Sequence, residues 1–250
     1  MAGALSSEPR PSRLPVLLAG ACTALLAMVM PWALDAMRER LGTRGLALLL
    51  LTVVVLSLSL RGPAAGLRRF AAAGLAGLLA IGVATGDARA LRLVPAAVYL
   101  GLALLFAASL RGPGSIIEAA ARWLVPEAPD FIRSYCRGVT ALWVLFFLAS
   151  AAAIGWLALA GSPAAWLAAS SRDVWIAMGA LTGIEFVFRK TWFRYYFRGG
   201  PFERLWARIF PAERTERGRR SLQYIEEYRA RQRSSGTQLP WKPKGTRSGR

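Results

Sequence analysis

Six apolar runs follow one another through the first 188 residues: 14–34, 46–60, 70–86, 91–110, 139–160 and 174–188. A single run of this kind fits the core helix of a soluble bundle as well as a membrane span. Six in succession exceed what one soluble core can bury, and a span needs only ~20 apolar residues. The runs predict an all-α, polytopic transmembrane helical bundle of about six spans. Runs two, three and six are short, so tilting or snorkelling arginines would have to complete them. Run six is short unless its helix begins earlier or extends through the aromatic segment Trp192 to Phe197. The first run follows Arg10 and Arg13 in the manner of a signal sequence, but its 21 residues exceed a usual signal core, and it reads as a retained helix.

Charge supplies the orientation. The chain carries 32 Lys and Arg against 14 Asp and Glu. Residues 1–188 hold 15 of the basic residues; the segment from Arg189 onward holds 17 with only five acids, a net of +12. Counted between spans, one side of the bundle receives 26 basic residues and the other 6, or 9 against 6 with the tail left out. The positive-inside rule then puts both termini in the cytoplasm. Residues 1–13 form a cytoplasmic lead, 111–138 a long cytoplasmic loop and 189–232 a basic amphipathic tail. The Ser/Gly/Pro/Lys/Arg-rich stretch 233–250 is expected to be disordered. A basic tail on an apolar body suits anionic lipid or an acidic protein; its plain reading is a topology signal.

Composition also excludes chemistry. The chain has no histidine, which removes a Ser-His-Asp triad, His-based acid/base work and most zinc or haem ligation. Its two cysteines, Cys22 in an apolar run and Cys136 in a polar loop, predict no structural disulfide. No Walker A, G-x-S-x-G or C-x-x-C pattern is present. No metal or cofactor is expected.

Within the runs, polar residues are few: Thr23, Thr52, Ser57, Tyr99 and Ser150 occupy the middles of the first five. Glu185 in the sixth is the exception. Its ordinary reading is an i,i+4 ion pair with Arg189; the functional one is a carboxylate that binds a cation, a proton or a loop arginine. In the long loop, Ser115 can cap a short helix through Trp123, with Glu118 and Arg122 paired at i,i+4. The predicted topology brings Glu118, Arg122, Arg133, Tyr135, Arg137, Thr140, Glu185 and Arg189 to one membrane face. An arginine-rich face of this kind suits a phosphate-bearing group or an acidic partner, and equally a clamp on the loop. In the tail, Phe202, Leu205, Trp206, Ile209 and Phe210 recur at helical spacing opposite Arg204 and Arg208, which predicts an amphipathic helix for the headgroup region. Packing against the ends of the spans is the equal alternative. Pro211 ends it, and Leu222, Ile225 and Tyr228 suggest another short helix.

Several stretches together resemble a known family. They are Leu91-Arg92-Leu93-Val94-Pro95, Leu105-Phe106, Ser109-Leu110, Ser115-Ile116-Ile117-Glu118, and Ala121-Arg122. Tyr135-Cys136-Arg137-Gly138-Val139-Thr140, Trp143, Phe146-Phe147, Glu185-Phe186 and Arg189 complete the set. The likeness is to a group of bacterial integral membrane proteins without an assigned activity. Their genes lie among fatty-acid-synthase-like genes of aryl polyene (xanthomonadin-type) pigment clusters. The resemblance spans about residues 91–189 and implies that Glu118, Arg122, Tyr135, Arg137, Thr140 and Glu185 belong to the family signature. It carries no catalytic residue. The expected role is a non-catalytic accessory protein that supports acyl-chain or aryl-polyene lipid assembly at the cytoplasmic face. Its partners would be membrane lipids and an acyl carrier protein or other acidic cytoplasmic protein. The alternatives are a small lipid or polyene transporter or flippase component, and a membrane acyl or glycosyl transferase. Such a transferase would have to draw its base from Glu118, Glu127, Asp130 or Glu185. The basic tail matches no nucleic-acid-binding module.

Overall fold

The computed structural model describes residues 32–33, 36–56, 66–197 and 199–234, all of whose regular structure is helical. We number the helices α1 (36–56), α2 (Gly66–Thr85), α3 (Ala88–Leu110), α4 (Ile116–Leu124), α5 (Arg133–Ala160), α6 (Pro163–Ala168), α7 (Val174–Phe193), α8 (Pro201–Ile209) and α9 (Glu216–Ser234). Nearly all of the first apolar run, with Cys22, and the tail beyond residue 234 lie outside the described residues. The chain divides into two compact units, Met1–Met178 and Gly179–Arg250, and the boundary falls within α7.

Among the described residues, two helices are long and apolar enough to cross a membrane: α3, and α5 together with the 3-10 turn before it, Asp130–Ala160. The 23 residues of α3 rise roughly 35 Å at 1.5 Å per residue, enough for a ~30 Å hydrocarbon layer. Only 22% and 17% of their apolar stretches are buried, whereas the core helix of a soluble protein would be mostly covered. Of the other expected spans, the third and the sixth fall short, and the first two lie wholly or partly outside the described residues. The apolar part of α2 is confined to Ala72–Thr85. Helix α7 reaches 20 residues but carries Glu185, Arg189 and Lys190 in its second half. The structure therefore supports two of the six runs as spans on length and composition.

The first unit is organised around α3 and α5, which pack antiparallel. Ala96 sits opposite Gly155, where an added Cβ would lie 3.7 Å from the alanine methyl. Further along, Tyr99 and Phe106 of α3 both meet Phe147 of α5, with ring centroids 6.2 and 5.1 Å apart. Trp143 and Phe146 extend this aromatic cluster. Small residues at one end of the seam let the backbones approach, and rings fill the other end. A second cluster joins α1, α2 and α3 through Leu46, Ala47, Leu79, Leu91 and Val94. Gly82 is its closest approach: a Cβ there would lie 3.2 Å from Ala90 and 3.4 Å from Ala47.

The turn between α2 and α3 follows from its residues. Gly86 adopts φ 71, a left-handed position that ends α2 at little steric cost. Asp87 then caps α3, accepting from the Arg89 N–H at 2.8 Å. Pro95 lies inside α3, where it removes one ladder donor without ending the helix.

Helix α6 does not stop before the sixth run. A five-residue π turn, Ala169–Asp173, links it to α7, so the helical path begins at Pro163, earlier than the apolar run itself. Ser170 and Ser171, buried within the turn, both donate to the Leu167 carbonyl. Trp166 anchors α6 by donating from Nε1 to the Arg92 carbonyl at 3.0 Å.

In the second unit, α7 ends at Phe193 and Arg194 turns the chain with φ 50, a left-handed conformation unusual for a long side chain. Two of its own hydrogen bonds hold it there, from Nε to the Thr191 carbonyl at 3.2 Å and from Nη1 to the Pro211 carbonyl at 2.6 Å. Ser221 of α9 is fully buried and donates to the Phe193 carbonyl at 2.9 Å, which fastens α9 to the end of α7. Helix α9 has 19 residues, longer than the short helix expected around Leu222 to Tyr228. It continues through Ser234, two residues into the stretch expected to be disordered; the rest of that stretch lies outside the described residues.

Candidate functional site

The long loop folds as its sequence suggests. Ser115 caps α4, its Oγ accepting from the Glu118 N–H at 3.3 Å. Ser-x-x-Glu is also the pattern of a capping box, in which the glutamate would reach back to the cap. Here the Glu118 carboxylate turns to two arginines instead. Oε1 accepts from Arg122 Nε at 3.1 Å, and Oε2 from Arg133 Nε at 3.3 Å. Glu118 is only 4% exposed. Burial pushes its pKa up, but the hydrogen bonds and charges of Arg122 and Arg133 outweigh it, and the carboxyl lies below its ordinary value.

The arginines around Glu118 are spent on protein acceptors. Arg122 donates from Nη2 to Asp130 at 2.7 Å and from Nη1 to the Ala128 carbonyl at 3.4 Å. Hydrogen bonding to Asp130 and Glu118 raises its pKa further. Arg133 donates from Nη2 to the Pro113 carbonyl at 2.6 Å. Arg137 reaches the carbonyls of Leu110, the last residue of α3, and of Gly112 two residues beyond it. Guanidiniums at the end of a helix satisfy its orphan carbonyls and complement its dipole. Thr140 is fully buried and donates to the Cys136 carbonyl at 2.7 Å. Tyr135 is half-buried on the same turn. Six of the eight residues expected at one membrane face thus lie in the first unit, on α4 and the first turns of α5.

Glu185 and Arg189 belong to the second unit. They form the expected i,i+4 pair, Arg189 Nε to Glu185 Oε1 at 2.9 Å. Each unit is therefore a separate candidate.

The expected amphipathic helix is α8, and its five apolar residues divide. Phe202, Leu205 and Ile209 form an exposed stripe with Arg204 and Arg208 beside it. Trp206 and Phe210 are half-buried and stack on each other at 5.4 Å. Tyr196 donates its hydroxyl toward the carbonyls of Trp206 and Phe210, at 3.3 and 3.0 Å, and so closes the end of α8. Burial raises its pKa, aided by Glu203 and opposed by Arg194. Lys190 pairs with Glu203 at 3.2 Å, and the other Glu203 oxygen accepts from the Gly199 N–H at 2.7 Å.

A cleft of about 450 Å³ is lined by Thr191 and Trp192 in the last turn of α7, by Arg194 just after it, and by Thr215, Glu216, Arg217 and Arg220 at the start of α9. Its two groups of residues are 21 positions apart in the chain at their nearest, Arg194 and Thr215, so no local pattern marks them. Among the described residues no group of three His, Cys, Asp or Glu converges to hold a metal ion. No protein-family model, curated protein or solved structure matches the chain.

Proposed function

We propose that the chain is a multi-pass inner-membrane accessory protein, non-catalytic, that supports acyl-chain or aryl-polyene lipid assembly at the cytoplasmic face. The observation that carries the membrane reading is the outward surface of α3 and α5. Val98, Leu100, Leu104 and Leu105 on α3, and Leu142, Leu145, Leu148, Trp156 and Leu159 on α5, all stand exposed. A surface of that size and character needs a cover, and hydrocarbon supplies one along two helices of spanning length.

The second unit supports a role at the lipid boundary. The exposed stripe of α8 beside Arg204 and Arg208 has the makeup of an interfacial helix. Arg204, Arg208 and Arg219 are exposed and offer a basic surface to anionic lipid or to an acidic acyl carrier protein. The lipid-assembly setting rests on the sequence resemblance over residues 91–189. The Glu118 cluster fits a clamp on the loop better than a ligand site, because its arginines already donate to protein oxygens.

The test is deletion of the gene followed by analysis of extractable acyl and polyene lipids. The reading expects a changed lipid profile that the wild-type gene restores. An unchanged profile in cells that normally hold the protein in their membranes would sink the lipid-assembly role.

A further inference from the structure

The cleft between the end of α7 and the start of α9 gathers three guanidiniums around a space large enough for a phosphate and the first atoms attached to it. One carboxylate, that of Glu216, faces them, leaving the lining with an excess of two positive charges. The arginines are held in place by contacts of their own. Arg194 is fixed by its bonds to the Thr191 and Pro211 carbonyls. The Arg217 guanidinium carbon sits over the Trp192 ring, 4.0 Å from its centroid. Arg220 stands 3.8 Å from Glu216, a distance at which the pair is weak and the guanidinium keeps donors for a ligand. Thr215 Oγ1 already accepts from the Gly218 N–H at 3.1 Å, so the charge of the cleft comes from the arginines, not from an open helix end.

The surroundings select the kind of phosphate. Phe188 stacks on Trp192 at 5.0 Å, and both rings are exposed, as are Val187 and Ile184, about one and two turns before Trp192 on α7. A strip of exposed apolar side chains on one helix therefore leads up to the arginines. A soluble phosphate has no use for such a strip; a lipid has acyl chains to lay along it. We propose that this cleft binds the phosphate headgroup of an anionic lipid, with Arg217 and Arg220 as its principal ligands and Trp192 at the boundary between headgroup and chain. The proposal deepens the membrane reading above and rests on it for its source of ligand.

The experiment is isothermal titration of the full-length, detergent-solubilised protein with three probes: dioctanoyl phosphatidic acid, dioctanoyl phosphatidylcholine and inorganic phosphate. The expected result is saturable binding of phosphatidic acid, with phosphatidylcholine and inorganic phosphate at least tenfold weaker. The double variant Arg217→Gln, Arg220→Gln should lose at least tenfold in affinity, and Arg217→Lys, Arg220→Lys should retain part of it. An equal charge change at the far end of α9, Arg231→Gln with Arg233→Gln, should leave binding unchanged. Circular dichroism confirms that each variant keeps its helices. Unaltered binding in the Gln double variant would overturn the site, and so would equal loss in the α9-end variant. Inorganic phosphate binding as tightly as phosphatidic acid would overturn the lipid source. Because binding is read in detergent, it stands or falls apart from the lipid profile of the deletion strain.

Discussion

Replacing Gly218 with valine is expected to unfold the start of α9 and with it the arginine cleft. A Cβ at position 218 would lie 2.1 Å from the Ala212 carbonyl oxygen and 2.8 Å from its carbon. Those atoms are backbone of the 3-10 turn Ala212–Arg214, which folds back against the first turn of α9. A flexible side chain could swing aside; this turn cannot move without releasing the bond from the Thr215 N–H to the Ala212 carbonyl. Overpacking of this kind ordinarily costs about 1–3 kcal/mol, and contact with rigid backbone puts Gly218→Val at about 3 or above. Alanine should already produce most of the effect. Gly200→Ala is the matched control, since no atom lies within 4 Å of a Cβ there. Thermal unfolding in detergent, followed through tryptophan fluorescence, should separate the two by many degrees. Limited trypsin digestion should release the segment beyond Pro211 from Gly218→Val and leave Gly200→Ala intact.

Glu118→Leu is expected to give the second large loss. It removes the one carboxylate that ties α4 to the first turn of α5, and leaves Arg122 and Arg133 without that acceptor. Arg133 has a side chain 56% exposed and recovers much of its hydration; Arg122 recovers less. The expected cost is therefore about 1–3 kcal/mol, below that of breaking a fully buried pair. Glu118→Gln keeps the shape but not the charge and should fall between. The same residue sets a pH dependence. Its carboxyl lies below the ordinary value near 4.5, so the folded state favours the ionised form. The stabilisation is complete above that ordinary value and is lost as pH falls below it, through the lower folded value. Wild type should lose stability over that acid window more steeply than Glu118→Gln. Melting both proteins from pH 6 to about pH 3 gives the difference curve; parallel curves would remove Glu118 from the account.

The helical class and the positions of the local elements were legible because each carries its signal within a few residues. Ser115 followed by Glu118 and Arg122 announced a capped helix with an i,i+4 pair, and α4 has both. The spacing of Phe202, Leu205 and Ile209 announced α8. What escaped depends on residues far apart in the chain. Apolarity alone made α7 look like a short span, while its charged second half leads into the second unit. The π turn at Ala169–Asp173 has no periodic signature, so the helical path from Pro163 to Phe193 was broken in the sequence reading. The donors of Arg133 and Arg137 could be counted but not aimed; their carbonyl acceptors lie 20 to 27 residues away. The cleft was invisible for the same reason. Arg217 and Arg220 read as ordinary members of a basic tail until α9 folds beside Trp192.

The most direct measurement of the central claim places single cysteines along α5, in a background with Cys22→Ser and Cys136→Ala, and labels membrane vesicles with a water-soluble maleimide. Ser134 stands exposed at the start of the helix, and Leu145, 65% exposed, lies 11 residues further on, roughly 16 Å along the axis. Both are open in the protein itself, so only a bilayer can distinguish them. If α5 crosses the membrane with its start on the cytoplasmic side, Ser134→Cys labels rapidly in inside-out vesicles, and Leu145→Cys labels only after denaturation in SDS. Equal labelling of the two positions in intact vesicles would contradict a membrane span here.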